Sequence, residues 1–368
     1  METNSVGLVK TKVFHSPEPF VFESGESIPE LEIAYETYGD LCSSKNNAIL
    51  IEHALSGDAH AAGFNDTTER KAGWWDNMIG PGKAFDTNRY FVVCSNVLAG
   101  CKGTTGPASR NPLTAKPFAL DFPMVTIKDM VNAQKDLIDY LGIRRLVNVT
   151  GRSMGGMQAL QWAVSYPEMI DSVIVIASCL KHSAQQIAFN EVGRRAIMAD
   201  PNWIGGNYYY DNPPKDGLAV ARMIGHITYL SEDLMQNKFG RKGTGNRAKL
   251  FKPSFEIEHY LDYQGLSFVQ RFDANSYLYI TNALDAFDLH VEFARIPRLE
   301  LFGKIRCLIV SFNSDWLYPS AQSKEIARLI RSKGFEVTYC EVDSNQGHDA
   351  FLTDVEAQTA LTKNFLSK

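Results

Sequence analysis

The chain has 368 residues, 45% of them hydrophobic and 21% charged, with a net charge of −5. That length asks for one large α/β domain with an insertion, or for two domains, and the apolar content is ample for a core. The acidic balance, with no Lys/Arg-lined helix, excludes a basic nucleic-acid surface, and no run of about 18 apolar residues is available to cross a membrane. The opening stretch METNSVGLVKTKVF has neither the apolar run of a signal peptide nor an Arg-rich amphipathic character, so a cytoplasmic protein is expected.

In chain order, strand patterns come first: LEIAYETYG (31–39), NAILIEHAL (47–55) and YFVVCSNVL (90–98). IKDMVNAQKDLIDYLG (127–142) has a helical period and a glycine stop. LVNVT (146–150) reads as a strand, MGGMQALQWAVSYP (154–167) as a helix and SVIVIAS (172–178) as a strand. Such alternation implies parallel βαβ units. Residues 183–295 are then helix-like throughout. They are interrupted by DPNWIGGNYYYDNPPKDG (200–217) and by FGRKGTGNRAKLFKPS (239–254), a basic, Gly-rich surface loop. The α/β rhythm returns with CLIVSF (307–312), AQSKEIARLIRSKG (321–334) and FEVTYCEV (335–342). The helix AFLTDVEAQTALTKNFL (350–366) closes the chain. The expected architecture is an α/β core, 1–182 and 296–368, interrupted by a helical lid or cap at 183–295. That cap would lie over the carboxyl ends of the strands, where open α/β sheets place their sites.

Six cysteines occur without a CxxC pair, and Cys94, Cys307 and Cys340 fall inside apolar strand patterns, so buried reduced thiols are expected. The histidines do not recur at ligand spacing, so neither a metal nor a resident cofactor is expected.

The chemistry starts at Gly151-Arg152-Ser153-Met154-Gly155, a GxSxG motif set between a strand and a helix. This is the context of a nucleophile elbow. Glycine is needed at 151 and 155, for close backbone approach or for a left-handed φ, and the turn lifts the Ser153 hydroxyl clear of the sheet. A serine needs a base and an orienting carboxylate. Asp315 follows the strand 307–312 and His348 follows the strand 335–342, in the order this fold requires. The oxyanion donors are the backbone N–H of Met154, at a helix N-terminus, and that of Leu55, in the loop HALSGDAH after the strand 47–52.

Beyond GxSxG, the chain carries HALSGDAHAAG, GWWDNMIGPGKAFDT, SNVLAGCKGTTGP, GRSMGGMQALQWA, FNEVGRRAI, QRFDANSYLY, SDWLYP and GHDAF. Along nearly its whole length it resembles homoserine O-acetyltransferases, of the α/β-hydrolase superfamily. The resemblance implies an α/β-hydrolase fold and a ping-pong transfer from acyl-CoA to the side-chain hydroxyl of L-homoserine, early in methionine biosynthesis, in a cytoplasmic homodimer. It further implies that Arg194, in FNEVGR, grips the substrate carboxylate, that Asp349 pairs with its ammonium, and that Tyr229 belongs to the same pocket. Succinyl transfer, serine as acceptor and simple ester hydrolysis are the alternatives this fold permits. Two residues depart from the family pattern. Arg152 stands where glycine is usual, and Glu52 where a small or apolar residue is expected. A carboxylate at a buried strand end needs a partner, and Arg152 is the expected one. Left unpaired in the acyl pocket, Arg152 would instead favour a succinyl donor.

Overall fold

The structure is a computed structural model that describes residues 4–243, 254–295 and 304–368. Eight strands form one sheet: β1 (Lys12–His15), β2 (Glu32–Tyr38), β3 (Ala48–Glu52), β4 (Phe91–Ser95), β5 (Leu146–Arg152), β6 (Ser172–Ile176), β7 (Arg306–Phe312) and β8 (Glu336–Val342). Their spatial order is β1-β2-β4-β3-β5-β6-β7-β8. β2 is antiparallel to both neighbours, and every pairing from β4 to β8 is parallel. β3 and β6 are buried at every position, as strands covered on both faces must be. Their alternate residues enter two separate cores. Leu50, Val173 and Val175 pack toward α1 (Ile127–Tyr140) and α2 (Met154–Ser165). Ile49, Ile51, Ile174 and Ile176 pack on the other face, toward Trp75, Phe351 and Phe365.

Between β6 and β7 the described residues form helices and contribute no strand to this sheet. These are α3 (Ala184–Ala199), α4 (Lys215–Tyr229), α5 (Glu232–Lys238), α6 (Glu256–Val269), α7 (Ala274–Ala286) and α8 (Leu289–Ala294). α3 packs on α4 and α7, and α4 packs on α6. α9 (Ser320–Ser332) joins β7 to β8.

The sequence pattern differs from the fold in a few places. The short strand β1, paired at the sheet edge, carries too few apolar positions to stand out. The single closing helix expected at 350–366 is two, α10 (Ala350–Thr353) and α11 (Val355–Leu366), because Asp354 leaves the helical region at φ −86, ψ 66. Cys340 is only partly buried because β8 is an edge strand. Residues 244–253 of the expected basic loop and 296–303, at the expected return to the core, lie outside the described residues.

Candidate active site

The loops after β3, β5, β7 and β8 bring the expected site residues to one end of the sheet. At the elbow, a Cβ on Gly151 would overlap the Gly155 carbonyl, and one on Gly155 would overlap the carbonyl of Glu52. Both glycines are therefore there for close approach. The left-handed φ falls on the nucleophile itself, Ser153, at φ 53 and ψ −121. Such a conformation costs a non-glycine residue about 1–3 kcal/mol and persists only when its surroundings hold it. Here they do: the Ser153 N–H donates to Ile176 O at 3.0 Å, and the Ser178 hydroxyl donates to Ser153 O at 2.9 Å.

His348 Nδ1 lies 2.7 Å from Asp315 Oδ2, with both side chains buried. The other Asp315 oxygen accepts the N–H groups of Leu317 (3.0 Å) and Tyr318 (2.8 Å), which fixes the carboxylate. Asp315 thus sets the imidazole tautomer, with Nδ1–H toward the carboxylate and Nε2 free to take a proton. The ring is held between Tyr318, stacked at 4.9 Å, and Phe351, edge-on at 4.8 Å. Gly347, at φ 75, is needed because a Cβ there would come within 2.5 Å of Ser231 N and 2.7 Å of Tyr229 O, in the turn between α4 and α5. Among the described residues no hydrogen bond joins Ser153 to the His348 ring. Such contacts are commonly loose in free enzymes and tighten with substrate.

Met154 is the first residue of α2, and its N–H has no partner within the helix. Leu55 lines the same cavity as Ser153. Its loop is pinned by His53, whose Nε2 accepts from Val97 N at 3.2 Å while Nδ1 lies 2.7 Å from Ala54 O. Burial lowers the His53 pKa, which keeps that ring neutral and able to accept.

Tyr229 lines the Ser153 cavity with Tyr318, His182 and Gln186. Asp349 ends the 3-10 turn Gly347–Asp349 beside the catalytic histidine, and among the described residues its carboxylate has no ion-pair or hydrogen-bond partner. Burial raises its pKa, and nearby His348, Arg222 and Arg152 oppose the rise. Arg194 is placed elsewhere. It is bound to Asp285 Oδ2 at 2.7 Å and to Glu191 at 3.2 Å, and it does not line the Ser153 cavity. A second arginine, Arg222 on α4, also stands outside that lining but lies beside Tyr229. Its Nη1 is 3.3 Å from Ser56 Oγ, its guanidinium lies 5.6 Å from the Tyr229 ring centre, and its buried Nε has no partner. The signal for it was present in the sequence. Arg222 and Tyr229 are seven residues apart on α4, two turns along one helix face.

The family model for the alpha/beta hydrolase fold matches residues 47–355. A homoserine O-acetyltransferase of Methanococcus vannielii is 55% identical over all of this chain and 75% of its own length. One from Deferribacter desulfuricans is 53% identical over all of this chain and 98% of its own. The chain belongs to the homoserine O-acetyltransferase family of α/β hydrolases. Among solved structures, homoserine O-acetyltransferase from Bacillus anthracis superposes with TM-score 0.90 at 31% identity, covering 98% of each chain. Esterase E22 superposes almost as well, with TM-score 0.88 at 31% identity, covering 98% of this chain and 100% of its own.

Glu52 and Arg152, expected to pair, do not. Glu52 is opposite Gly151 in the β3–β5 register, so Arg152, one residue further, points to the other face of the sheet. Glu52 faces α1 and α2, where one carboxylate oxygen accepts from Gln134 Nε2 at 2.7 Å and the other has no partner. Burial pushes its pKa up to about 8, the Gln134 and Trp162 side chains opposing. It is a neutral acid at pH 7, which removes the need for a counter-ion. Arg152 lies against three rings, 4.3 Å from the centre of Trp74, 4.6 Å from Trp75 and 4.7 Å from Phe351, and donates to Phe351 O at 3.2 Å. Burial lowers its pKa to about 9, and it stays a cation. It does not line the Ser153 cavity, so the argument for a succinyl donor loses its basis.

Proposed function

We propose that this chain transfers an acetyl group from acetyl-CoA to the side-chain hydroxyl of L-homoserine, in methionine biosynthesis, through an acyl-serine intermediate. The observation that carries this reading is the full-length identity of 53–55% to several proteins named for that activity. The site supports it. Ser153 Oγ attacks the thioester carbonyl as His348 Nε2 takes its proton, and the oxyanion rests on the Leu55 and Met154 N–H groups. The tetrahedral adduct expels the coenzyme A sulfur, which receives the proton from His348. The homoserine hydroxyl then gives its proton to His348 and attacks the acyl-serine, and Ser153 leaves with that proton returned. Acetyl-CoA enters as a co-substrate, and the triad needs no resident cofactor or metal.

An amino-acid acceptor suits two charged groups near Tyr229 that the fold leaves without an ion-pair partner. The unpartnered Asp349 carboxylate suits the ammonium, and Arg222, with its free Nε, suits the carboxylate. Tyr229, which lines the cavity with Ser153 and has its ring centre 5.6 Å from the Arg222 guanidinium, would position the chain. Arg222 thus takes the role that resemblance gave to Arg194. Arg222→Ala should raise KM for homoserine about 10- to 150-fold, the value of a charged bidentate contact, with much less change for acetyl-CoA. Arg194→Ala should not raise the homoserine KM. The opposite ranking of the two variants would restore Arg194.

The second reading, an esterase, is favoured by the close likeness to esterase E22. Thiol release from acetyl-CoA separates the two, measured with homoserine, with serine and with buffer alone. Release that depends on homoserine supports the transferase, and equal release in buffer overturns it. No described helix is long and apolar enough to cross a membrane, and a cytoplasmic homodimer fits the reading. Tyr263 and Leu266 on α6, both about two-thirds exposed, form a candidate contact. Light scattering should then give twice 41.1 kDa, and a monomer mass would exclude it.

A further inference from the structure

One residue outside the triad, through its backbone and its ring, stands against all three of its members. The Tyr318 N–H donates to Asp315 Oδ1 at 2.8 Å, its ring stacks on His348 at 4.9 Å with 23° between planes, and its hydroxyl shares the cavity wall with Ser153. Ser153 is near enough to that hydroxyl to ease the rise in its pKa that burial causes. The hydroxyl is itself anchored, 2.8 Å from His182 Nε2. His182 Nδ1 is 2.8 Å from Asp285 Oδ1, and Asp285 is bound in turn by Asn190 at 2.7 Å and by Arg194 at 2.7 Å. His182 and Tyr318 are both buried, and the chain runs from the cap helices α3 and α7 to the nucleophile. The hydrogen-bond bookkeeping has one natural solution. Asp285, ionised against Arg194, accepts the hydrogen bond of Nδ1–H, so Nε2 is an acceptor. The phenol gives its single proton to Nε2 and turns lone pairs toward Ser153.

We infer that Asp285–His182–Tyr318 is a second hydrogen-bonded series serving the nucleophile, in which His182 and Asp285 fix Tyr318 as Asp315 fixes His348. Tyr318 is a positioning residue. It accepts the hydrogen bond of the resting Ser153 hydroxyl, keeps Oγ in the cavity, and holds the His348 ring flat against its own. No proton is transferred to it in any step. This inference rests on Ser153 as the acylated residue in the proposed function, and not on which acceptor follows.

The test is the acylation step, read as the burst of p-nitrophenol from p-nitrophenyl acetate. That ester needs neither coenzyme A nor homoserine. Tyr318→Phe keeps the ring and the backbone N–H but loses the anchor, and should slow the burst about five- to tenfold, the worth of one ordinary hydrogen bond. His182→Leu should slow it about equally, and the double variant should be no slower than either single one, because both break the same link. His182→Gln, which retains an acceptor, should recover part of the rate. Near-UV circular dichroism selects a temperature at which each variant is folded, and Asp285→Asn replaces His182→Leu should that protein not fold. A wild-type burst in Tyr318→Phe, or losses that multiply in the double variant, overturns the inference. A wild-type enzyme that shows the burst and fails to acetylate homoserine overturns the proposed function instead, leaving the comparison of variants intact.

Discussion

Ser153→Ala should reduce acyl transfer at least a thousandfold, because no acyl-enzyme can form. Removing a triad member leaves only the catalysis of binding and the oxyanion hole. The variant should still fold, since Tyr318, which the resting hydroxyl meets, keeps its own anchor on His182. The backbone adds a second arm to this result. Ser153 sits at φ 53, where glycine is at ease and alanine is not. Ser153→Gly should be equally inactive but more stable than Ser153→Ala, by about 1 kcal/mol. Initial rates with acetyl-CoA and homoserine, together with urea melts, read both arms. A Ser153→Ala enzyme retaining a tenth of wild-type turnover would falsify the nucleophile assignment.

The second large effect is on stability. Burial pushes the Glu52 carboxyl up to about 8, against an ordinary value of 4.5. The sign follows from linkage. Below the ordinary value both folded and unfolded chains hold the proton, and the group is neutral in the balance. Above it the unfolded chain ionises and the folded one does not, so native stability falls steadily until about pH 8 and then levels. Three to four units correspond to on the order of 4 kcal/mol. Glu52→Gln removes the titration while keeping an oxygen for Gln134. Its stability relative to wild type should therefore climb between pH 5 and pH 8, and little below. Chemical denaturation at several pH values gives the difference directly. Parallel pH profiles for the two proteins would mean that Glu52 is already ionised in the fold.

Glu52 and Arg152 mark where the sequence stops being readable. The strand–helix rhythm, the elbow and the order of Ser153, Asp315 and His348 are local or depend only on chain order, so they could be read from the residues. Whether Glu52 meets Arg152 depends on a register between β3 and β5 that shifts near Ala48. A slip of one residue changes the face, and nothing local reveals it. The resemblance that points to Arg194 carries no information on its contacts either. The sequence places it on an amphipathic helix but not which neighbour that helix turns it toward, and the structure turns it to Asp285 on α7. Arg222, proposed above for the carboxylate, shares a face of α4 with Tyr229, but no chemical motif surrounds it. The Tyr318–His182–Asp285 series joins residues 103 and 136 positions apart by contact alone, at 2.8 Å, and no pattern in the chain announces it.

Gly347 ties the turn between α4 and α5 to the loop that carries the base. Its missing side chain lets Ser231 N and Tyr229 O approach within 2.5 and 2.7 Å of where a Cβ would be, and the Ser231 hydroxyl reaches Asn345 O from the same turn. The two segments are about 115 residues apart in sequence and are packed too closely to separate independently. Local unfolding should treat them as one cooperative unit, so that amide exchange in 229–231 and in 345–349 proceeds at a common rate. An acceptor bound between Arg222 and Asp349 would bridge that unit from within. It would slow the opening of the base loop in the act of occupying the cap, and so couple substrate arrival to the order of the catalytic histidine.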